Sequence, residues 1–183
     1  MKRYFFSRIL GMVFLVTVSI SCTSNLDFNQ VNTVLAKPIV VANLASFDIP
    51  ENQFVIGGVE QTVSGDLQNF DVFRNTFFKD NLIRTDFFFE INNTISRDYI
   101  IDLVLMDRNN SPLYNIKINV PAYTGVEKLV TQTEIFENTK LDLLKSTTKI
   151  AFSVTMLPGT VLSETSAGSL KLRSSATVYL GIK

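Results

Sequence analysis

The sequence predicts an all-β chain with one short helix, folded as an antiparallel two-sheet β-sandwich, Ig-like in general architecture. Three observations predict it. From Pro38 onward, short runs alternate apolar and polar residues with the period of two expected of half-buried strands. Turn-forming stretches, Gly57-Gly58 and Asp107–Pro112 among them, separate these runs. Two runs, Tyr99–Met106 and Lys149–Leu157, are apolar at most positions on both faces, which suits central strands.

Taken in order, Pro38–Ile49 opens with Ile39-Val40-Val41 and reads as the first strand. Phe54–Ile56 and Val59–Val63 flank Gly57-Gly58, and two glycines supply the positive φ values of a tight hairpin. Asn69–Phe78 alternates less cleanly, and Asp80-Asn81 is expected to mark the next turn. Leu82–Asn92 (LIRTDFFFEIN) carries the sharpest pattern. Ile83, Thr85, Phe87, Phe89 and Ile91 share its inward face, with Arg84, Asp86, Phe88, Glu90 and Asn92 opposite.

Tyr99–Met106 turns Tyr99, Ile101, Leu103 and Leu105 inward, and Leu113–Val120 does the same with Tyr114, Ile116, Ile118 and Val120. Gly125–Thr133 reads as a further strand. In Glu134–Ser146, Ile135, Phe136, Leu141 and Leu144 can share one helical face, so the single helix is expected there. Lys149–Leu157 and Ser169–Ile182 return to strand. The last of these points Leu170, Leu172, Ala176, Val178, Leu180 and Ile182 inward.

Composition excludes several functions. The 183 residues contain no histidine, which removes Ser-His-Asp and Cys-His catalysis and any imidazole metal site. The one cysteine, Cys22, has no partner for a disulfide. Beyond residue 21 the chain holds 14 Lys and Arg against 17 Asp and Glu, a net charge of about −3. No nucleic-acid footprint is visible in that balance.

The first 21 residues read as a signal peptide. Lys2, Arg3 and Arg8 make a basic head, and Ile9–Ile20 is a charge-free apolar core too short to span a bilayer. Ser19, Ile20 and Ser21 then lead into Cys22. Residues 22–36 read as the lipidated cysteine and a polar tether, and 37–183 as one β-sandwich domain.

The candidate sites are few. Asp107-Arg108-Asn109-Asn110-Ser111 starts like a calcium loop. Pro112 stands where the loop needs glycine, however, and Ile118 where it needs glutamate, so a hairpin turn is expected and no metal or cofactor. Asp86 and Glu90 lie on one strand face about 13 Å apart, beyond the spacing of a glycosidase pair. A carboxylate such as Asp102 on a neighbouring strand would be needed to close that gap, and this is the only enzymatic reading left open. Phe88 must point away from Phe87 and Phe89. It is either covered by a helix or loop, or exposed among Arg84, Asp86 and Glu90 as a possible binding surface.

The signal ending at Cys22, together with a strand series closing in SLKLRSSATVYLGIK, resembles a group of uncharacterised lipoproteins of Bacteroidota. The resemblance implies diacylglyceryl attachment at Cys22 and anchoring in the membrane. Thr23 after the cysteine, in place of aspartate, implies the outer membrane, with the periplasmic face favoured. It brings no activity and no catalytic residues. The reading it supports is a non-enzymatic binding or scaffolding subunit with an envelope protein or glycan as partner. A periplasmic carrier of lipid or another amphiphile is one alternative, requiring a cavity between the sheets. A fimbrial or adhesive subunit built by strand exchange is another.

Overall fold

The computed structural model describes residues 37–61, 65, 67–70, 75–165 and 167–182. The expected strand series forms, and its strand pairing follows from the burial pattern. β1 (Ile39–Pro50), β5 (Leu82–Asn93), β8 (Leu129–Phe136) and β10 (Ser169–Leu180) make one sheet in the order β1-β10-β5-β8. β4 (Leu67–Asn69), β6 (Tyr99–Met106), β7 (Pro112–Val120) and β9 (Lys149–Met156) make the second, in the order β4-β9-β6-β7. All pairings are antiparallel. β2 (Val55–Ile56) and β3 (Val59–Glu60) form a separate hairpin around Gly57 and Gly58, both at positive φ.

The architecture is therefore an antiparallel two-sheet β-sandwich, as the alternation predicts. Its connectivity is that of a jelly roll, with successive strands crossing between sheets except at the β6–β7 hairpin. β6 and β9 are central, as their two apolar faces require. Ala36–Ile182 make one compact unit.

The inner faces fill the space between the sheets. Phe87, Phe89, Ile91, Leu170 and Leu172 from the first sheet meet Tyr99, Ile101, Leu103, Leu105, Ile116 and Ile118 from the second. Aromatic rings add to this core: Phe87 lies 4.9 Å from Phe136 on the neighbouring strand β8, and Phe54 lies 5.0 Å from Tyr99, centroid to centroid. Burial of one such side chain contributes on the order of 1.5–3 kcal/mol. The open side between edge strands β7 and β8 is fastened by Glu134 Oε1, which accepts from Tyr114 Oη at 2.6 Å and Lys140 Nζ at 2.5 Å. Hydrogen bonding to Glu134, and after it to Tyr114, raises the Lys140 pKa.

Several expectations need correction. Among the described residues there are two short α-helices, not one. α1 (Thr76–Asn81) occupies the stretch where Asp80-Asn81 suggested a turn. It forms because Asn75 Oδ1 caps it, accepting from Phe77 N–H at 2.9 Å, while Asn81 Nδ2 closes its end on Phe77 O at 2.8 Å. α2 (Thr139–Ser146) begins later than expected. Glu134, Ile135 and Phe136 continue β8, so Phe136 is buried from a strand and Ile135 is exposed. Leu141 and Leu144 do face inward from α2.

Ile83 does not point inward either. Tyr179 pairs with Arg84 but Leu180 pairs with Leu82, so Ile83 is the extra residue of a bulge. Leu82 takes the buried position and Ile83 is 50% exposed.

The antiparallel register gives the sandwich two distinct ends. β1 and β5 start, and β8 and β10 finish, at the end where the chain enters at Lys37; α1 and α2 lie there too. The opposite end carries the β2–β3 hairpin and segments 94–98, 121–128 and 157–168.

Candidate functional site

The residues singled out on β5 come together on the outer face of the first sheet. Alternation turns Arg84, Asp86, Phe88 and Glu90 away from the core, and β10 and β8 supply their neighbours. Asp86 sits between Thr177 and Ile135, Phe88 between Ser175 and Thr133, and Glu90 between Arg173 and Thr131. Phe88 is 39% exposed, against 0% for Phe87 and 1% for Phe89. Neither helix covers it to the core level of its neighbours.

Arg84 and Asp86 neutralise one another. Arg84 Nε donates to Asp86 Oδ1 at 2.7 Å and Nη2 donates to Oδ2 at 2.8 Å, a two-point contact that fixes both planes. The bond to Asp86 raises the arginine's pKa. Tyr179 completes the group: its hydroxyl donates to Asp86 Oδ2 at 3.3 Å and its ring lies 5.4 Å beneath the guanidinium. Phe88, Ile135 and Tyr179 thus share the outer face with threonine and serine side chains of β8 and β10.

Tyr179 and Ile135 were not among the expected site residues. Parity within Ser169–Ile182 does turn Tyr179 outward, but nothing local says that β10 lies beside β5. Ile135 fits a helical face by its spacing from Leu141 and Leu144.

Asp102 does not join Asp86 and Glu90. β6 follows β5 in sequence but belongs to the opposite sheet. Asp102 Oδ1 there accepts from Asn115 Nδ2 at 3.1 Å on β7. The fold thus brings no second carboxylate from β6 to this face, and Asp86 is engaged by arginine.

The Asp107 loop is hairpin chemistry. Asp107 Oδ1 accepts from the N–H groups of Asn109 and Ser111, both at 2.8 Å, and Asn110 adopts φ 63 to close the turn. Among the described residues no cluster of three metal-ligating side chains occurs. Cys22, the expected lipidation site, lies outside the described residues.

A second polar cluster, unread in the sequence, sits at the end opposite Lys37. Arg97 is buried, yet each side of its guanidinium is used. Nε donates to Leu157 O at 2.6 Å, Nη1 to Thr160 O, and Nη2 to Glu60 Oε2 at 2.5 Å. Glu60 Oε1 accepts from Leu162 N–H at 2.8 Å, and these bonds hold the Glu60 carboxyl below the usual range. Burial beside the cluster pushes the Tyr99 phenol up.

A cleft of about 200 Å³ lies at the same end, lined by Asn93, Pro121, Tyr123, Val126 and Lys128. It is outside the space between the sheets, which core side chains fill.

The sequence matches no family model and no curated protein. Several solved structures are similar to it at low identity. A subviral particle of infectious bursal disease virus is 10% identical over 79% of this chain, with a TM-score of 0.46. The chain spans 33% of that protein's length. Desmodium yellow mottle tymovirus is 8% identical over 81% of this chain and 90% of its own, with a TM-score of 0.32. The tobacco streak virus coat protein is 9% identical over 80% and 86%, with a TM-score of 0.34.

Proposed function

We propose that this protein is a lipid-anchored, non-enzymatic subunit of the bacterial outer membrane. Diacylglycerol on Cys22 holds it at the periplasmic face, and the outer surface of sheet β1-β10-β5-β8 binds an envelope protein. The observation that carries the reading is Phe88. It is a large apolar side chain exposed on a polar sheet face whose charged pair is already satisfied internally. Docking a partner over Phe88, Tyr179 and Ile135 removes apolar area from water while Arg84 and Asp86 stay paired with one another. An outer sheet face suits a protein better than a small ligand, which needs a concave site. The carrier alternative requires a chamber between the sheets, where the described residues pack ring against chain.

A photoreactive benzoylphenylalanine in place of Phe88 tests the reading in intact membranes. A cross-linked adduct from position 88, and none from exposed Asn115 on the opposite sheet, is the expected result. Equal adducts at both positions, or none at 88, contradict it. Mass spectrometry of the native N-terminus tests the anchor separately. Cys22→Ser should release the chain into the soluble fraction.

A further inference from the structure

The end of the sandwich where the chain enters is apolar in a way its own fold does not use. Pro38 O accepts from Leu180 N–H at 3.1 Å, and Gly181 N–H donates to Asn81 O at 2.8 Å. Asn81 in turn bonds Phe77 O at 2.8 Å. These contacts bring the first residues of β1, the end of β10 and the last residue of α1 together. Phe77 is 46% exposed and Ile83, lifted out by its bulge, is 50% exposed. Ile39 and Val40 at the start of β1 are exposed as well, and Lys37, Lys79 and Asp80, close to these residues in sequence, are also exposed. A Cβ on Gly181 would lie 3.2 Å from Ile83 Cγ2, so the β10 backbone backs the Ile83 side chain closely.

We infer that this end is a lipid-seating surface, with Phe77 and Ile83 inserted at the headgroup boundary and Lys37 and Lys79 beside the phosphates. The inference rests on the proposed anchor at Cys22 and deepens it by giving the domain an orientation. The occupant follows from where the chain outside the described domain begins. Cys22 lies 15 residues before Lys37, a span of at most about 50 Å. β1 alone is 12 residues, about 40 Å long. A bilayer held at Cys22 therefore meets the Lys37 end first, and reaches the far end only if the tether runs nearly straight along the whole domain. Aromatic and branched apolar residues beside lysines are the composition that lies at a lipid interface, apolar bodies inward and ammonium groups outward.

The test uses the mature lipoprotein purified from membranes and reconstituted into vesicles. These contain phosphatidylethanolamine, phosphatidylglycerol and a brominated phosphatidylcholine as quencher. Phe77→Cys, Ile83→Cys and Val161→Cys variants each carry one environment-sensitive fluorophore, since acylation blocks Cys22. The inference predicts blue-shifted emission and loss of most fluorescence at positions 77 and 83, with none at Val161, which is exposed at the far end. Quenching at 161 but not 77, or at neither end, overturns it. Flotation of the vesicles reports anchoring independently. A chain that fails to float removes the anchor, whereas one that floats without quenching at 77 removes only the orientation.

Discussion

Arg97 Nη2 donates to Glu60 Oε2 at 2.5 Å, joining the turn between β5 and β6 to the β2–β3 hairpin. The same guanidinium holds two carbonyls of segment 157–160, so one buried arginine gathers three connections at the far end. Its removal should be expensive. Arg97→Met leaves Leu157 O, Thr160 O and the Glu60 carboxylate without their donor, a loss on the order of 3–5 kcal/mol in urea unfolding.

Glu60 also makes this end acid-sensitive. Its pKa is lowered in the folded state, chiefly by Leu162 N–H and then by Arg97. A depressed carboxylate contributes stability above its ordinary value of 4.5, and that contribution is lost as the pH falls through the folded value. Unfolding midpoints of the wild type should therefore drop below about pH 4.5. Glu60→Gln should be less stable at neutral pH and show a shallower drop in the same acid range.

Among the described residues, the hydroxyls of Thr85 and Tyr99 are two of three buried hydroxyls without a hydrogen-bond partner, the third being that of Thr148. Thr85 and Tyr99 are both 0% exposed. Replacing such a group by an apolar isostere removes a desolvation penalty, so Thr85→Val and Tyr99→Phe should each raise stability by about 1 kcal/mol. Thermal unfolding checks it, and a loss in either variant would show that the hydroxyl is satisfied by water.

Asp107 supports its turn through two backbone N–H groups. Asp107→Ala should lower stability by about 1–2 kcal/mol. Calcium or a chelator should leave the melting temperature of the wild type unchanged, because the carboxylate acts on the backbone.

Much of this fold is legible where one face is buried and the other wet. The runs that became β5, β6, β7, β9 and β10 show their inward residues directly, because alternation is a local property. What stayed hidden depends on partners distant in sequence. Thr76–Asn81 looks like strand by its phenylalanines, and only the Asn75 cap makes it helix. Ile135 and Phe136 fit a helical face or a strand equally well until β5 pairs with β8. Ile83 is displaced by a bulge that no residue type announces. At the candidate site, Phe88, Arg84, Asp86 and Glu90 share the face that parity gives them. Tyr179 joins them only through the pairing of β10 with β5, and Arg97 finds acceptors about sixty residues further along.

Labour on β5 divides by parity: Phe87 and Phe89 build the core, and the proposed partner docks on Phe88. The most direct measurement is the native size of the detergent-solubilised protein, read with urea stability, for Phe87→Ala, Phe88→Ala and Phe89→Ala. Phe87→Ala and Phe89→Ala should each lose on the order of 3–5 kcal/mol to a core cavity. Phe88→Ala should lose less than about 1 kcal/mol, as a surface change does, yet migrate as the free chain where the wild type migrates as a complex. A Phe88→Ala protein that keeps the wild-type complex, or loses as much stability as Phe87→Ala, would contradict the account.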